Sequence, residues 1–267
     1  MANTIFITGA SSGLGKATAK LFQSKGWNVI ATMRNPEKET ELTQLENVTL
    51  LPLDVTNAEQ IKTTAAKAIA LHSIDVVFNN AGYGLMGAME AISDEQVLQQ
   101  INTNLLGVLR VTQAFIPHFR EKRNGVFIST TSMDGLLAFP LHSLYHATKF
   151  GVEGWSESMS FELGLHNIKI KTVAPGGFAT DFLGRSLDRN SMPEYKGLED
   201  KLFALMDGMM EAASPVEAIA AVVYEAATDD KDLVRYIAGD HAKAAYARRL
   251  EIGSEESRKE IRTMILG

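Results

Sequence analysis

The chain has 267 residues, of which 45% are hydrophobic, and it carries a net charge of −6. That length fits one large α/β domain or two small ones, the acidic balance argues against a nucleic-acid partner, and the absence of cysteine excludes disulfides and thiolate chemistry. Strand-like sequence begins at Thr4 and no apolar run approaches the ~18 residues of a membrane span, so we expect a cytoplasmic protein with no signal peptide and no membrane partner.

Seven short runs rich in β-branched residues predict β-strands, and longer helical patterns fill the gaps between them. The predicted strands are Thr4–Thr8, Asn28–Met33, Thr49–Leu53, Asp75–Phe78, Gly125–Ser129, Lys169–Val173 and Leu233–Ala238. Several runs are apolar on both faces, which is typical of a parallel sheet covered by helices on both sides. Since the chain shows no internal repeat and no linker-like composition, it predicts a single doubly wound α/β domain, a Rossmann fold, over residues 1–267.

The turn after the first predicted strand reads Thr8-Gly9-Ala10-Ser11-Ser12-Gly13-Leu14-Gly15 and leads into a helix. Glycines let this backbone turn tightly and approach a ligand closely, and the free N–H groups at the helix N-terminus suit a pyrophosphate. A glycine-rich connecting loop is the alternative, but the strand–turn–helix context favours a dinucleotide site. The residues predicted to contact the cofactor here are Gly9, Ser11, Ser12, Gly13, Leu14 and Gly15.

The end of the second predicted strand bears on which dinucleotide binds. Folds of this type that bind NAD place an Asp or Glu roughly 20 residues past the glycines, where it holds the ribose 2′-hydroxyl. Here Met33 occupies that place and Arg34 follows it, and the forked guanidinium of an arginine can pair with a 2′-phosphate. We therefore predict NADP(H) as the preferred cofactor, with NAD(H) as the alternative if Arg34 is a plain surface residue. Lys16 is expected to point away from the cofactor site. Glu37, the nearest acidic residue, is expected to lie in the first turn of a helix and not at that site.

Capping signals predict where three helices begin. A helix is predicted over Asn57–Leu71, with Thr56-x-x-Glu59 as its capping box. A second box, Ser93-x-x-Gln96, begins a helix that runs toward Phe119. A third helix is predicted to begin at Ser214-Pro215-Val216, with proline at the first helical position.

Tyr145 and Lys149 are four residues apart and share one face of a predicted helix. A tyrosine is a poor acid or base near neutral pH because its ordinary pKa is about 10, and a neighbouring ammonium favours the phenolate and lowers that pKa. The pair alone is also compatible with an ordinary surface contact, because such neighbours are common on helices. Together with the glycine turn, it predicts a tuned proton donor beside a bound dinucleotide.

Five motifs, in order, resemble those of the short-chain dehydrogenase/reductase family over about residues 4–180. They are Thr8-Gly-x-x-x-Gly-x-Gly15, Asn79-Asn80-Ala81-Gly82, Ser132, Tyr145-x-x-x-Lys149 and Pro175-Gly176. Ser132 lies thirteen residues before Tyr145, the spacing usual in that family. The resemblance implies an oxidoreductase, specifically a carbonyl reductase, in which hydride moves between nicotinamide C4 and a carbonyl carbon.

The resemblance assigns catalytic roles to four side chains. Ser132 would donate to the substrate carbonyl oxygen, and Tyr145 would give that oxygen a proton during reduction or take one during oxidation. Lys149 would lower the tyrosine pKa and hydrogen-bond the nicotinamide ribose, so Tyr145 and Lys149 are also predicted cofactor contacts. Asn104 aligns with the family's fourth catalytic residue, which bends a helix and holds a proton-relaying water, and Asn102 competes with it for this role.

The same resemblance predicts further cofactor contacts at the carboxyl ends of the strands, the edge at which open α/β sheets bind ligands. These contacts are Asp54 and Val55 after the third strand, Asn80, Ala81 and Gly82 after the fourth, and Pro175, Gly176 and Thr180 after the sixth. Asp54 would meet the adenine, and the residues after the sixth strand would hold the nicotinamide. No metal site is expected.

Three apolar segments are expected to line the substrate pocket, namely Gly84–Met89, Met133–Leu144 and Phe178–Met210. The third is rich in methionine, which adapts to varied apolar shapes, and it fits a mobile lid at about 182–212 over a hydrophobic carbonyl compound or alcohol. The buried faces of two short helices are the alternative interpretation. His142 is expected to be a loop histidine, with a position facing the substrate as the other option, and a helical tail is expected at about 240–267.

Lys149–Gly154 and Pro175–Phe178 together resemble the branch that contains 17β-hydroxysteroid and retinol dehydrogenases, which implies a bulky, apolar substrate. Relatives pair through helices that here span about Ser93–Phe119 and Tyr145–His166, so a homodimer or homotetramer is implied. An NAD-linked alcohol dehydrogenase is the alternative reaction. A dinucleotide-binding scaffold or sensor without turnover is the alternative of another class, and the intact catalytic set favours the enzyme.

Overall fold

The computed structural model of the chain describes residues 2–176, 178–179, 186–211 and 213–267. Within these ranges, seven parallel strands form one central sheet. They are β1 (Thr4–Thr8), β2 (Asn28–Met33), β3 (Val48–Pro52), β4 (Val76–Asn79), β6 (Gly125–Thr130), β7 (Ile168–Pro175) and β11 (Arg235–Ala238). Two short parallel pairs lie outside this sheet, formed by β5 (Gly84–Met86) with β9 (Leu187–Arg189) and by β8 (Phe178–Ala179) with β10 (Ser214–Pro215).

Helices follow most of the strands, as the alternating sequence pattern predicts. In the described ranges they are α1 (Gly13–Ser24), α2 (Ala58–Leu71), α3 (Asp94–Ile101), α4 (Gly107–Lys122), α5 (Ser143–Gly164), α6 (Lys196–Glu211), α7 (Val216–Thr228), α8 (Asp240–Ile252) and α9 (Ser254–Leu266). Among these helices, none combines the length and the apolar character that crossing a membrane requires.

The strands lie in the order β3-β2-β1-β4-β6-β7-β11. All seven predicted strands are confirmed, each to within two residues at either end, and so is the doubly wound Rossmann fold. The direction in which successive strands are added reverses between β1 and β4. At such a reversal the loops on either side diverge, which leaves a crevice at the carboxyl ends of the strands where ligands of open α/β sheets bind.

Helices cover both faces of the sheet, and the three central residues of β1 show why its middle is apolar on both faces. Ile5 and Ile7 belong to the apolar cluster under α1 and α7, whereas Phe6 belongs to the cluster under α2 and α4. In the second cluster the ring of Phe6 lies 4.8 Å from that of Phe115, measured between ring centroids. A strand that is buried on both faces cannot alternate apolar with polar residues, and this run does not.

The predicted capping box of α2 is wrong. Asn57, and not Thr56, caps the helix, because the Asn57 side chain accepts the N–H of Gln60 at 3.0 Å. The Thr56 hydroxyl instead donates to the Asp54 carboxylate at 2.7 Å. The aspartate at the end of β3 therefore draws Thr56 into its own turn, and the cap falls to the next polar residue.

The helix predicted from Ser93 toward Phe119 forms with an irregularity in its middle. The capping box of Ser93 and Gln96 is confirmed at the start of α3. A π-helical turn over Asn102–Leu106 then joins α3 to α4. Such turns insert one extra residue into a helix and often lie at functional sites. The turn includes Asn104, one of the predicted catalytic residues.

In the carboxyl-terminal part of the chain, the first helix begins one residue later than predicted. Pro215 lies one residue before α7 and not at its first helical position, because Ser214-Pro215 pairs with β8 as the short strand β10. Residues 240–252 and 254–266 form the helices α8 and α9. Ile265 of α9 packs in one apolar cluster with Leu202 of α6, so the end of the chain supports the helix beside the crevice.

Candidate active site

A cavity of about 1070 Å³ opens along the carboxyl edge of the sheet, where the strand order reverses. The ends of six strands, β1, β2, β3, β4, β6 and β7, contribute to its wall. The predicted cofactor contacts that line it are Gly9, Ser11, Ser12, Gly13, Leu14, Arg34, Asp54, Val55, Asn80, Ala81, Gly82, Tyr145, Lys149, Pro175 and Gly176. Of the other two, Gly15 lies behind the wall and Thr180 lies outside the described residues.

The glycine turn packs so closely against its neighbours that side chains would not fit. Gly9 has a φ of +67°, in the left-handed region that favours glycine, and a Cβ there would lie 2.8 Å from the Cα of Ala81. A Cβ on Gly15 would overlap the carbonyl oxygen of Gly9. Gly15 therefore shapes the cavity by letting α1 approach the turn, although it does not line the cavity itself.

The N-terminus of α1 presents open N–H groups to the cavity. Ser12 precedes this helix, but in the described part of the chain its side chain makes no hydrogen bond to the first turn. That turn also carries no acidic residue in the described structure. Uncapped N–H groups and the positive end of the helix dipole together suit a pyrophosphate, so the turn fits a dinucleotide.

Asn80 joins the ends of three strands at the middle of the cavity. Its Nδ2 donates to the carbonyl oxygens of Thr8 and Gly9, at 3.2 and 3.1 Å, and its backbone N–H donates to the Thr8 hydroxyl at 2.9 Å. Its Oδ1 accepts the hydroxyl of Thr130 at 3.3 Å. One asparagine thus holds the glycine turn of β1 against the loops that follow β4 and β6.

Arg34 is exposed on the wall of the cavity, at the end of β2. No carboxylate among the described residues lies within 4.0 Å of its guanidinium. Lys16 points away, as predicted, and its ammonium pairs with Glu39 at 3.0 Å and Glu41 at 2.9 Å. The basic group that faces this part of the cavity is therefore Arg34, whose charge stays available for a phosphate.

Ser132, Tyr145 and Lys149 come together at the other end of the cavity. Tyr145 and Lys149 lie one helical turn apart on α5, and the lysine Nζ is 5.5 Å from the centroid of the tyrosine ring. Lys149 also donates to the carbonyl oxygen of Thr130 at 2.8 Å, which fixes its ammonium against the end of β6. Ser132 follows β6, and its Oγ accepts the N–H of Asp134 at 3.1 Å.

The acidity of Tyr145 differs from the prediction. Burial raises the pKa of its hydroxyl above the ordinary value, the carboxylate of Asp134 raises it further, and a hydrogen bond with Ser132 acts in the opposite direction. The predicted lowering of this pKa is therefore not found in the protein without cofactor. Burial also lowers the pKa of Lys149 to about 8, against the opposing influence of Asp134 and Glu153. Tyr145 consequently holds its proton at neutral pH, which is the state that a proton donor requires.

A buried carboxylate, Glu153, holds the two catalytic elements together, and no local sequence pattern indicates this role. Its Oε1 accepts the hydroxyl of Thr131 at 2.5 Å, and its Oε2 accepts that of Thr172 at 3.1 Å and the Nε of Arg235 at 2.8 Å. Glu153 lies on α5 and Thr131 directly precedes Ser132. The network therefore fixes the serine loop relative to the helix of the tyrosine and lysine.

Asn104 is buried but does not line the cavity. Its Nδ2 donates to the carbonyl oxygen of Tyr83 at 2.7 Å, and its Oδ1 accepts the N–H of the same residue at 3.0 Å. The π turn thus carries a side chain that pins the loop after β4. The water relay implied for this residue stays a prediction.

The substrate end of the cavity contains part of each predicted segment. Leu85, Met133, Phe139, Leu187, Leu202, Leu205 and Met206 supply apolar wall. Other predicted residues, including Tyr195, Leu198 and Phe203, pack in an apolar cluster with Leu202 and Met206, so α6 both lines the cavity and buries a face. Phe182 lies outside the described residues. His142, expected as a loop histidine, directly precedes α5 and lines the cavity with Asp134, a residue of the predicted segment Met133–Leu144 that the sequence analysis does not single out.

Comparison with known proteins shows what this arrangement is similar to. The sequence model of the family described as short chain dehydrogenase matches residues 3–190. The 3-ketodihydrosphingosine reductase of Bacteroides thetaiotaomicron is 38% identical over 194 residues, 72% of this chain and 69% of that protein. Among solved structures, a short-chain dehydrogenase from Streptomyces avermitilis has a TM-score of 0.87 at 29% identity and covers 98% of this chain and 95% of its own. ElxO with NADP bound has a TM-score of 0.77 at 26% identity, over 93% of this chain and 100% of its own.

Proposed function

This chain belongs to the short-chain dehydrogenase/reductase family of oxidoreductases, and on that premise we propose that it reduces a hydrophobic ketone or aldehyde to the alcohol with NADPH, reversibly. One observation carries the proposal. A single cavity joins the uncapped N-terminus of α1, the guanidinium of Arg34 and the group formed by Ser132, Tyr145 and Lys149. The residues that would hold the dinucleotide and the residue that would donate the proton thus line one continuous cavity.

The residues at the far end of that space account for the chemistry at the substrate oxygen. NADPH, when bound, would supply hydride to the carbonyl carbon. Ser132 Oγ accepts a backbone N–H, and its hydroxyl, which lies beside that of Tyr145, would turn its proton to the carbonyl oxygen when a substrate binds. Tyr145, kept protonated by burial, gives its proton to that oxygen as negative charge develops there. The ammonium of Lys149 then stabilises the phenolate that remains.

We propose that Asn104 acts through the bend of the π turn. Each polar atom of its side chain makes one hydrogen bond to the backbone of Tyr83, so the side chain holds the π turn against the loop after β4. The bend that Asn104 stabilises would shape the place in which a proton-relaying water could sit behind Lys149.

The charges at the end of β2, where the adenosine ribose would bind, support a preference for NADPH over NADH. Arg34 follows the position at which NAD-binding folds of this type place an acid, and Met33 occupies that position. The cavity wall there therefore offers a cation and no competing carboxylate among the described residues of β2. A hydrogen bond to a charged group contributes about 1.5–3 kcal/mol, and the lower end suits an exposed arginine. We expect a preference of about tenfold for NADPH.

The apolar wall formed by Phe139, Leu202, Leu205 and Met206 supports a bulky hydrophobic substrate. A relative at 38% identity carries the name 3-ketodihydrosphingosine reductase, a reductase of a ketone, which agrees with this direction of reaction. We also propose that α6 and the described residues before it, 186–211 of the lid predicted at about 182–212, form a lid over the substrate; residues 182–185 and 212 lie outside the described residues. Methionine at position 206 suits a surface that must adapt to an apolar ligand.

We propose that the protein is a homodimer or homotetramer built through the helices near Ser93–Phe119 and Tyr145–His166. Leu98 on α3, Phe161 on α5 and Leu165 directly after α5 are large apolar side chains exposed to solvent. Exposed apolar groups on these same helices favour burial against another copy. Sedimentation velocity tests this point, since a monomer at micromolar concentration would contradict it.

An absorbance assay tests the proposed function. The purified protein is mixed with NADPH or NADH and with ketones and aldehydes of increasing apolar size, and loss of the reduced nicotinamide absorbance is followed. We expect turnover of bulky apolar carbonyl compounds, with kcat/KM about tenfold lower for NADH. Faster oxidation of the matching alcohols with NAD than with NADP would instead identify an NAD-linked alcohol dehydrogenase. Binding of NADPH without turnover of any compound would identify a cofactor-binding sensor or scaffold.

A further inference from the structure

The substrate end of the cavity contains a polar pair that the proposed mechanism does not use. Asp134 and His142 both line the cavity, and His142 Nδ1 lies 3.0 Å from Asp134 Oδ2. Their side chains are 14% and 13% exposed, so the pair is almost removed from solvent. Removing polar groups from water costs free energy unless hydrogen bonds compensate, so this pair needs an explanation.

The pair lies on the two elements that carry the catalytic group. Asp134 is two residues after Ser132 and donates its N–H to the serine Oγ at 3.1 Å. His142 directly precedes α5 and is three residues, about one helical turn, before Tyr145. Asp134, His142, Ser132 and Tyr145 all line the same cavity. The short spacing along these two elements brings the pair to the end of the cavity at which Ser132 and Tyr145 would hold a carbonyl.

Each member of the pair keeps one polar atom without a partner. His142 Nδ1 faces a carboxylate and therefore carries a proton, which it donates to Asp134 Oδ2. Among the described residues, neither Asp134 Oδ1 nor His142 Nε2 makes a hydrogen bond. Both residues line the cavity, so a ligand bound there can reach these atoms, and a hydrogen bond to a charged group contributes about 1.5–3 kcal/mol.

A metal ion is the other chemistry to weigh here, because Asp134, His142 and His146 place one ligand atom each within 4.8 Å of one another. Both ring nitrogens of His146 already make hydrogen bonds to backbone atoms of the preceding loop. Its Nδ1 donates to the carbonyl oxygen of Asp134 at 2.6 Å, and its Nε2 accepts the N–H of Phe139 at 2.8 Å. With both nitrogens occupied, the histidine cannot complete a metal site, and the pair remains a hydrogen-bonding group.

We propose that Asp134 and His142 recognise a hydrogen-bond donor, a hydroxyl or ammonium group, on the carbon next to the substrate carbonyl. The substrates are then α-hydroxy or α-amino ketones with an apolar tail, and the tail lies against Leu202, Leu205 and Met206. A carboxylate at that carbon is rejected, because it meets the Asp134 charge at short range. This inference rests on the proposed function, since it names the substrate class of the same site.

The test compares three probes that share an eight-carbon skeleton, namely octan-2-one, 1-hydroxyoctan-2-one and 2-oxooctanoate, with saturating NADPH. We expect the wild type to reduce the hydroxyketone with a kcat/KM at least about tenfold above that for octan-2-one, as one hydrogen bond to a charged group permits. Asp134→Asn should remove most of that advantage, chiefly by raising KM for the hydroxyketone. The same variant should change kcat/KM for octan-2-one much less than kcat/KM for the hydroxyketone, and it should raise kcat/KM for 2-oxooctanoate.

Glu95→Gln is the matched control, because Glu95 is another carboxylate that lines the cavity and should leave the ratio of the two ketones unchanged. His142→Gln serves as a second variant if Asp134→Asn does not fold, and it should lower the same ratio. A ratio unaffected by both variants, or an equal loss of activity on both ketones, would overturn the proposal, the latter by showing a structural role. Reduction of octan-2-one and the hydroxyketone at equal kcat/KM would contradict this inference alone. Failure to reduce any carbonyl compound would contradict the proposed function as well.

Discussion

Replacing Lys149 by methionine tests the electrostatics of the site without any substrate. Lys149 is 6% exposed, and its described hydrogen-bond acceptor is the carbonyl oxygen of Thr130 at 2.8 Å. Burial lowers the pKa of this amine to about 8 from 10.5, although Asp134 and Glu153 act to raise it. One pKa unit corresponds to about 1.4 kcal/mol, so holding the charged amine in the native state near neutral pH costs about 3 kcal/mol.

Methionine has a similar length and no charge, so Lys149→Met removes this cost. It also leaves the Thr130 carbonyl oxygen without its partner, which costs about 1 kcal/mol. We therefore expect the variant to exceed the wild type in free energy of unfolding by about 2 kcal/mol near neutral pH, without cofactor. The native pKa lies below the unfolded one. The penalty is thus complete below about pH 8 and disappears as the pH rises through about 10.5, so the gain should shrink over that interval.

Urea unfolding followed by circular dichroism, at about pH 7 and about pH 10, measures both the gain and its pH dependence. Lys62→Met is the control, because it removes a lysine whose side chain is exposed and should leave stability nearly unchanged. A variant of Lys149 that is no more stable than the wild type near neutral pH, or that gains equally at both pH values, would refute the reasoning. Turnover should be lost in this variant, so stability and activity would move in opposite directions.

Three further substitutions test the cofactor cradle and the π turn. Arg34→Glu should raise the Kd of NADPH at least about tenfold and leave that of NADH almost unchanged in fluorescence titrations; equal losses would contradict the cofactor preference. Gly15→Ala should lower Tm and weaken the binding of both cofactors, since the new Cβ meets the carbonyl oxygen of Gly9 in the glycine turn. Gly154→Ala is the control and should change neither property, because the space around its Cβ is open. Asn104→Ala should lower the free energy of unfolding by about 1–3 kcal/mol and lower kcat, because the Tyr83 N–H loses its acceptor and the Tyr83 carbonyl oxygen keeps only Gln100 Nε2 as a donor. Unchanged stability in that variant would show that the π turn does not depend on the side chain.

The sequence was informative wherever a local pattern decides the structure. β1 is buried at every position and apolar from Ile5 to Ile7 because both of its faces are covered, so this apolar run reveals the strand without tertiary information. The glycine turn is likewise visible because Gly9 and Gly15 are required by contacts with backbone atoms that no other residue would fit. The order of these local signals along the chain sufficed to predict the fold and most of the cavity wall.

Pairs that meet across long stretches of sequence were not predictable. Glu153 and Arg235 are 82 residues apart, and nothing in either neighbourhood indicates that they bond. Asp134 and His142 are close in sequence, but their contact depends on how the loop after β6 folds back onto α5. These contacts follow from tertiary packing, which a single sequence does not display.

The acidity of Tyr145 shows why a correct residue assignment can accompany a wrong electrostatic expectation. Spacing alone gives the distance to Lys149 along the helix, and it therefore predicts the attraction between a phenolate and an ammonium. It does not give burial, which penalises the charged forms of both groups and raises the pKa of the tyrosine while lowering that of the lysine. Which effect dominates depends on how much of the site is closed to water.

Tyr145→Phe tests the central claim, that this tyrosine supplies the proton in an NADPH-dependent reduction. Phenylalanine keeps the ring and its packing on α5 but has no proton to give. We predict that kcat for a bulky apolar ketone falls by about 10²–10⁴-fold, with the Kd of NADPH within about twofold of the wild type. Turnover close to that of the wild type, with NADPH still bound, would contradict the account.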